Sequence, residues 1–249
     1  MERTKRYTIV ALLFAFGFFK LSAQYKQDIY NAYINSNMDA WKIAIDKIEQ
    51  KQDKSDTLLL ELINYQYGYI GFCMGINDKK QAKTYLKLGE NNLEQLQKSS
   101  LHPSYVYAYK AAFYGYSIGL NKLKAPFIGP KSINAAKKSM ELNPSNPLGY
   151  IQYANAQFYM PPIFGGSKTE AVKYYKQAQA IMESDPAMVN HNWNYLSLLV
   201  NMAESYTEME EYDKADTYYR LILKIEPDFV WVKDELYPTF IKNRNNEQE

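Results

Sequence analysis

The side chains best suited to chemistry in this chain are few and widely separated. His102 stands directly before Pro103 and His191 two residues before Trp193, and neither has an acidic or cysteine neighbour at a metal-ligand spacing. The single cysteine, Cys73, follows Tyr69-Ile70-Gly71-Phe72, an apolar setting in which a thiol acts as a small hydrophobe rather than a nucleophile. One cysteine also rules out a disulfide within the chain. The run Gly165-Gly166-Ser167-Lys168-Thr169 has the look of a phosphate-cradling loop. However, Ser rather than Gly precedes Lys168, and the segment before it has the pattern of a helix, whereas such loops follow a strand. The run reads better as a helix start, with Ser167 capping the first free amides and Glu170 reaching back as a capping box. No two titratable groups are spaced to act together, so the expectation is a non-catalytic protein with no metal and no cofactor.

Charge narrows the partners. The chain carries 29 Lys and Arg against 27 Asp and Glu. Arg3, Lys5 and Arg6 precede the apolar run 9–19, and Leu21-Ser22-Ala23 offers a small-residue cleavage site before Gln24, which together read as a secretory signal peptide over 1–23. Eleven apolar residues fall short of the ~20 that a bilayer-spanning helix needs. Removal of 1–23 takes Arg3, Lys5, Arg6, Lys20 and Glu2 with it, leaving 25 basic against 26 acidic residues, a formal charge of −1. With no stripe of Lys and Arg interleaved with aromatics, nucleic acid is not an expected partner. The expected product is an exported, soluble protein of the periplasm or outside, not membrane-spanning after cleavage.

The remaining residues must build a scaffold from helices, because no period-two run is long enough for a sheet. The clearest unit is 196–229. Ala203 and Ala215 are small where two helices would touch, and Tyr206 and Tyr219 follow them by three and four residues on the same faces. Glu210-Glu211-Tyr212-Asp213 lets the chain reverse, and Pro227 ends the second helix. Upstream, similar pairs recur: 25–34 with 38–50, 58–73 with 80–96, 104–120 with 133–142, and 148–159 with a helix carrying Ala171, Tyr175 and Ala178. The segment 231–241 reads as an amphipathic cap and 243–249 as a disordered polar tail. The fold class is therefore all-α, an α-α superhelix of about five hairpins plus a C-terminal capping helix over 24–242.

The five residues Ala203, Tyr206, Ala215, Tyr219 and Pro227, at these spacings, resemble the core of a tetratricopeptide repeat, and the chain as a whole resembles exported bacterial proteins built from such repeats. Leu221-Ile222 departs from the pattern where a further alanine is usual, which predicts looser or shifted packing. The resemblance implies a right-handed superhelix whose first helices line a concave groove that binds a protein or peptide. It places Ile151, Asn155, Phe158 and Tyr159 on one inward face, and Val200, Glu204, Thr207 and Glu208 on the next. Relatives that grip a peptide carboxylate use Lys or Arg with Asn there. Here Asn155 is available, but Ile151 and Val200 stand where a cation would be wanted.

Two further features bear on function. Connections over 121–131 and 160–166 read as long loops on one edge of the stack, exposing Phe127 and Phe164 either as a rim beside the groove or as covers folded back over the helices. The twenty-four tyrosines include Tyr105, Tyr107, Tyr109, Tyr114 and Tyr116, which cannot share one helix face, so some lie outside the core. Tyrosine suits recognition of extended peptides and of small organic molecules alike. The pattern from Gly165 to Ala171, followed by a tyrosine-rich helix, resembles periplasmic repeat proteins of tripartite substrate-uptake systems, which implies the alternative of an accessory protein delivering a small ligand. A groove would favour the scaffold and an enclosed aromatic pore the accessory.

Overall fold

The structure, a computed structural model, describes residues 24–246. The expected signal peptide over 1–23 lies outside the described residues, as do the last three residues of the expected tail. Among the described residues there are helices and no strands. Helix α1 spans 24–34, α2 Met38–Glu49, α3 Asp56–Gly75, α4 Lys79–Lys98, α5 Pro103–Leu120, α6 Ala125–Leu142, α7 Pro147–Tyr159 and α8 Lys168–Glu183. A single turn, α9 (Pro186–Val189), leads to α10 (Trp193–Glu208), α11 (Tyr212–Ile225), a π-helical turn over Val232–Leu236 and α12 (Tyr237–Asn246). The last helix thus runs into the segment expected to be a tail.

Local chemistry sets these boundaries. Ser55, Asp78 and Asn146 each accept a hydrogen bond from an amide of the first turn of α3, α4 and α7, satisfying donors that a helix start leaves free. Ser167 does the same for the Glu170 amide at 3.2 Å. The capping box is only half made, however. The Ser167 amide is already taken by the Gln157 carbonyl at 3.0 Å, and the Glu170 carboxylate turns outward to Lys173 at 3.2 Å. Gly166 is obligatory, since a Cβ there would stand 1.7 Å from the Met160 carbonyl oxygen.

The hairpins α1/α2, α3/α4, α5/α6, α7/α8 and α10/α11 stack in chain order through alanine-sized contacts. Ala82, Ala136, Ala154, Ala171, Ala178, Ala203 and Ala215 are wholly buried where backbones approach. Ile222 is wholly buried too, so the position expected to be loose is filled. Phe240 of α12 covers the end of the stack, its ring 5.1 Å from Tyr219.

The expected long connection over 121–131 is corrected by the structure. A short 3₁₀ turn over Lys122–Lys124 leads straight into α6 at Ala125. Pro126 falls in the first helical turn, where its missing amide has no partner to lose. Pro130 lies inside the helix on its exposed side, where water can satisfy the carbonyl that its ring leaves free. The connection over 160–166 does leave the helices, through a 3₁₀ turn over Pro162–Phe164 and a left-handed Gly165 at φ 93°.

Candidate functional site

The stack curves until its ends meet. The Tyr30 hydroxyl of α1 donates to the Glu226 carboxylate just beyond α11 at 2.6 Å, and the Tyr33 ring lies 4.9 Å from Phe229. The first helices of the hairpins therefore surround a common interior instead of flanking an open trough. Its centre is filled by Trp41 and Trp193, whose rings meet edge to face at 5.0 Å, with Tyr33 against both. The Trp41 indole donates to the Tyr65 carbonyl at 2.9 Å. Both the expected alternatives, groove and enclosed pore, are modified: the interior is bounded all round, and aromatic side chains plug much of it.

Toward the α7 and α10 side the plug gives way to a polar concavity. The Tyr175 hydroxyl of α8 donates to Asn155 Oδ1 at 2.6 Å. The Asn155 amide donates to Gln152 Oε1 at 3.2 Å, and the Gln152 amide donates to the Tyr67 hydroxyl of α3 at 3.1 Å. Tyr67 stacks on Tyr116 of α5 at 5.6 Å, and the Tyr116 hydroxyl donates to the Tyr67 carbonyl at 3.0 Å. Helices of three successive hairpins are thus tied together by one relay of amides and phenols. Burial raises the pKa of Tyr67, Tyr116 and Tyr175, which keeps these phenols neutral and able to donate.

Glu204 projects from α10 into this space. Its negative charge is felt by Tyr33 on α1, Tyr159 on α7, Tyr175 on α8 and Tyr219 on α11, which locates the carboxyl among four helices. Burial first, and the neighbouring Glu208 second, raise its pKa from 4.5 to about 7. It joins none of the ion pairs among the described residues. Glu208, one turn along, is held instead by Lys168 at 2.5 Å, and the same ammonium lies 6.0 Å above the Phe158 ring. Tyr159 is 74% exposed, yet its hydroxyl is pushed up to about 12 by the surrounding walls and by Glu204. A side chain ringed by protein and still reached by water is what the lip of a concave face presents.

Of the residues expected on the inward faces, Asn155, Phe158, Tyr159, Glu204 and Glu208 gather here. Thr207 lies beside them, its hydroxyl bonded to the Ala203 carbonyl of its own helix at 2.9 Å. Ile151 and Val200 are packed into the core at 6% and 2% exposure, because at this curvature their positions meet the neighbouring hairpin. Ile151 only touches a crevice of about 10 Å³, room for one water, beside Ser197 and Asn201. A wider crevice of about 420 Å³ lies between α1 and α2 at the N-terminal end of the stack, away from this polar relay. Tyr33, Tyr67, Tyr116, Gln152 and Tyr175 are additions to the site, of which the sequence reading names only Tyr116 and Tyr175, as helix aromatics and not as site residues. Three of them stand on the first helices α1, α3 and α5, so the rule that places Glu204 would find them too if those hairpins showed a repeat register.

The remaining candidates have structural roles. Cys73 is wholly buried and burial pushes its thiol up to about 11. His102 and His191 occupy left-handed turn positions at φ 54° and 47°, the His191 ring tilted against Tyr30 at 5.2 Å. No cluster of His, Cys, Asp and Glu able to hold a metal occurs among the described residues.

The tetratricopeptide-repeat profile matches residues 196–229, the α10/α11 hairpin beneath Glu204. That hairpin is a tetratricopeptide repeat. Among solved structures, the HusA haemophore from Porphyromonas gingivalis superposes with a TM-score of 0.60 at 15% identity, over 76% of this chain and 92% of its own. A thermophilic tetratricopeptide-repeat protein of Thermus thermophilus superposes with a TM-score of 0.52 at 16% identity, over 89% and 96% of the two chains. At these identities the likeness is one of fold. No curated protein matches the chain in sequence.

Proposed function

We propose that this chain is a non-catalytic tetratricopeptide-repeat scaffold of the periplasm or cell envelope, exported by its N-terminal segment, that holds a protein or peptide partner on its concave face. The observation that carries this reading is Glu204. A half-buried carboxyl without a cation opposes folding, so its presence near Tyr159 and Tyr175 is best accounted for by a partner that brings the missing charge or donor. The partner segment is accordingly one with a Lys or Arg side chain, or an amide, directed at Glu204, while the aromatic lip covers its apolar part.

A second reading, delivery of a small organic ligand, is favoured by the closed aromatic interior and by the likeness to a haemophore. The two separate in one experiment. The chain from Gln24 onward is used for affinity capture from envelope extracts and, in parallel, titrated with haem while its absorbance is followed. The scaffold reading expects a protein captured by the parent and released by Glu204→Gln, with no haem spectral change. Saturable haem binding without protein capture supports the delivery reading, and neither result leaves both unsupported.

A further inference from the structure

The apolar side chains that face water most fully fall at two successive turns. Among the described residues the five most exposed large hydrophobics are Ile163 at 86%, Leu123 at 83%, Phe127 at 77%, Tyr159 at 74% and Phe164 at 72%. Four of them belong to the α5–α6 and α7–α8 turns or to the helix start that follows, and these turns join first to second helices of consecutive hairpins and so emerge on the same edge of the stack, while Tyr159 closes α7 on the lip described above. Phe127 and Phe164 therefore do not fold back as covers. Scattered single hydrophobics are ordinary on a surface, but tips from two adjacent turns form a patch that calls for a partner.

The charge at the α5–α6 half of the patch has one sign. From Gln95 to Met140 the chain has seven lysines and no acid, and Lys122 and Lys124 flank Leu123 at the patch itself. Lys124 reaches only the neutral Ser117 hydroxyl, at 3.1 Å. The acidic part of this edge, Glu208, Glu210 and Glu211, belongs to the next turn, α10–α11, where Glu208 takes up the charge of Lys168 beside the α7–α8 turn. The positive charge left for an anionic surface therefore sits at the α5–α6 turn, on Lys122 and Lys124. Exposed aliphatic and aromatic tips beside ammonium groups suit the headgroup boundary of a bilayer, which takes up the tips among its acyl chains and the cations among its phosphates. Among the described residues no helix is long and apolar enough to cross a membrane, so the contact is a peripheral one.

We infer that the edge formed by Leu123, Phe127, Ile163 and Phe164, with Lys122 and Lys124, docks the protein on the surface of an anionic phospholipid bilayer. The test is vesicle co-sedimentation with the chain from Gln24 onward. That segment contains the whole described core, and it leaves out the apolar run 9–19, which could bind lipid by itself. Vesicles of phosphatidylglycerol with phosphatidylcholine should bind the parent, and pure phosphatidylcholine should bind it at least about tenfold less. Because these side chains are exposed, Phe127→Ser with Phe164→Ser should fold normally and lose about tenfold or more in binding, as should Lys122→Glu with Lys124→Glu. Equal binding by parent and both variants would overturn the inference. So would a parent that pairs with a second copy, becomes monomeric in the serine variant and never binds vesicles.

Discussion

Replacing Glu204 by Gln should remove a pH dependence of stability that the structure assigns to this one group. Its folded pKa of about 7 exceeds the 4.5 it has in the unfolded chain, so between these values the folded state binds the proton more tightly. Below pH 4.5 both states are protonated and Glu204 has no effect. As pH rises through the window the unfolded chain ionises first, and stability falls until the folded carboxyl also ionises above pH 7. The gap between the two values, at ~1.36 kcal/mol for each pH unit, amounts to roughly 3 kcal/mol, of which about 2.5 kcal/mol is lost between pH 5 and pH 8. The side chain keeps some contact with water, so this is a ceiling. Among the described residues no competing shift falls in the window. The other displaced carboxyls, Asp78 and Asp216, are lowered, and the displaced tyrosines and Cys73 titrate well above pH 8. Thermal unfolding at pH 5, 6, 7 and 8 therefore should show the parent losing about 5–10 °C relative to Glu204→Gln across the range, with the variant the more stable at pH 8. Parallel curves for the two proteins would refute the claim that this carboxyl is desolvated and unpaired.

Two further substitutions probe the frame that holds the site. Gly68 of α3 has the rings of Trp41 and Trp193 where a Cβ would stand, 2.7 Å from each, so Gly68→Ala should cost about 1–3 kcal/mol in urea unfolding by displacing the central plug. Phe240→Ala should uncover Tyr219 and cost about 3 kcal/mol, read as a lower urea midpoint with most helical signal retained below it.

Much of the architecture is legible in the sequence because alanine spacing and proline stops report directly on where helices touch and end. Ala203 and Ala215 mark the α10/α11 contact, and both are wholly buried. The turn at 121–131 is misleading because Pro126 and Pro130 look like breakers, whereas one occupies a first turn and the other an exposed helix face. The site is legible only in half. Asn155 and Glu204 follow from the repeat register of their hairpins, but Tyr33, Tyr67 and Tyr116 come from hairpins with no such register. Which of their many tyrosines turn inward depends on how tightly the stack curves. Closure of that curve through Tyr30 and Glu226 joins residues 196 positions apart, which no local pattern encodes.

The most direct measurement of partner binding on the concave face is site-specific photocrosslinking in envelope extract. A benzophenone side chain would replace Tyr159 on the lip of that face or, separately, Lys87 on the exposed surface of α4. A partner adduct at position 159 that Glu204→Gln weakens, with none at position 87, is the predicted result. Adducts equal at both positions, or formed at 87 alone, would contradict it.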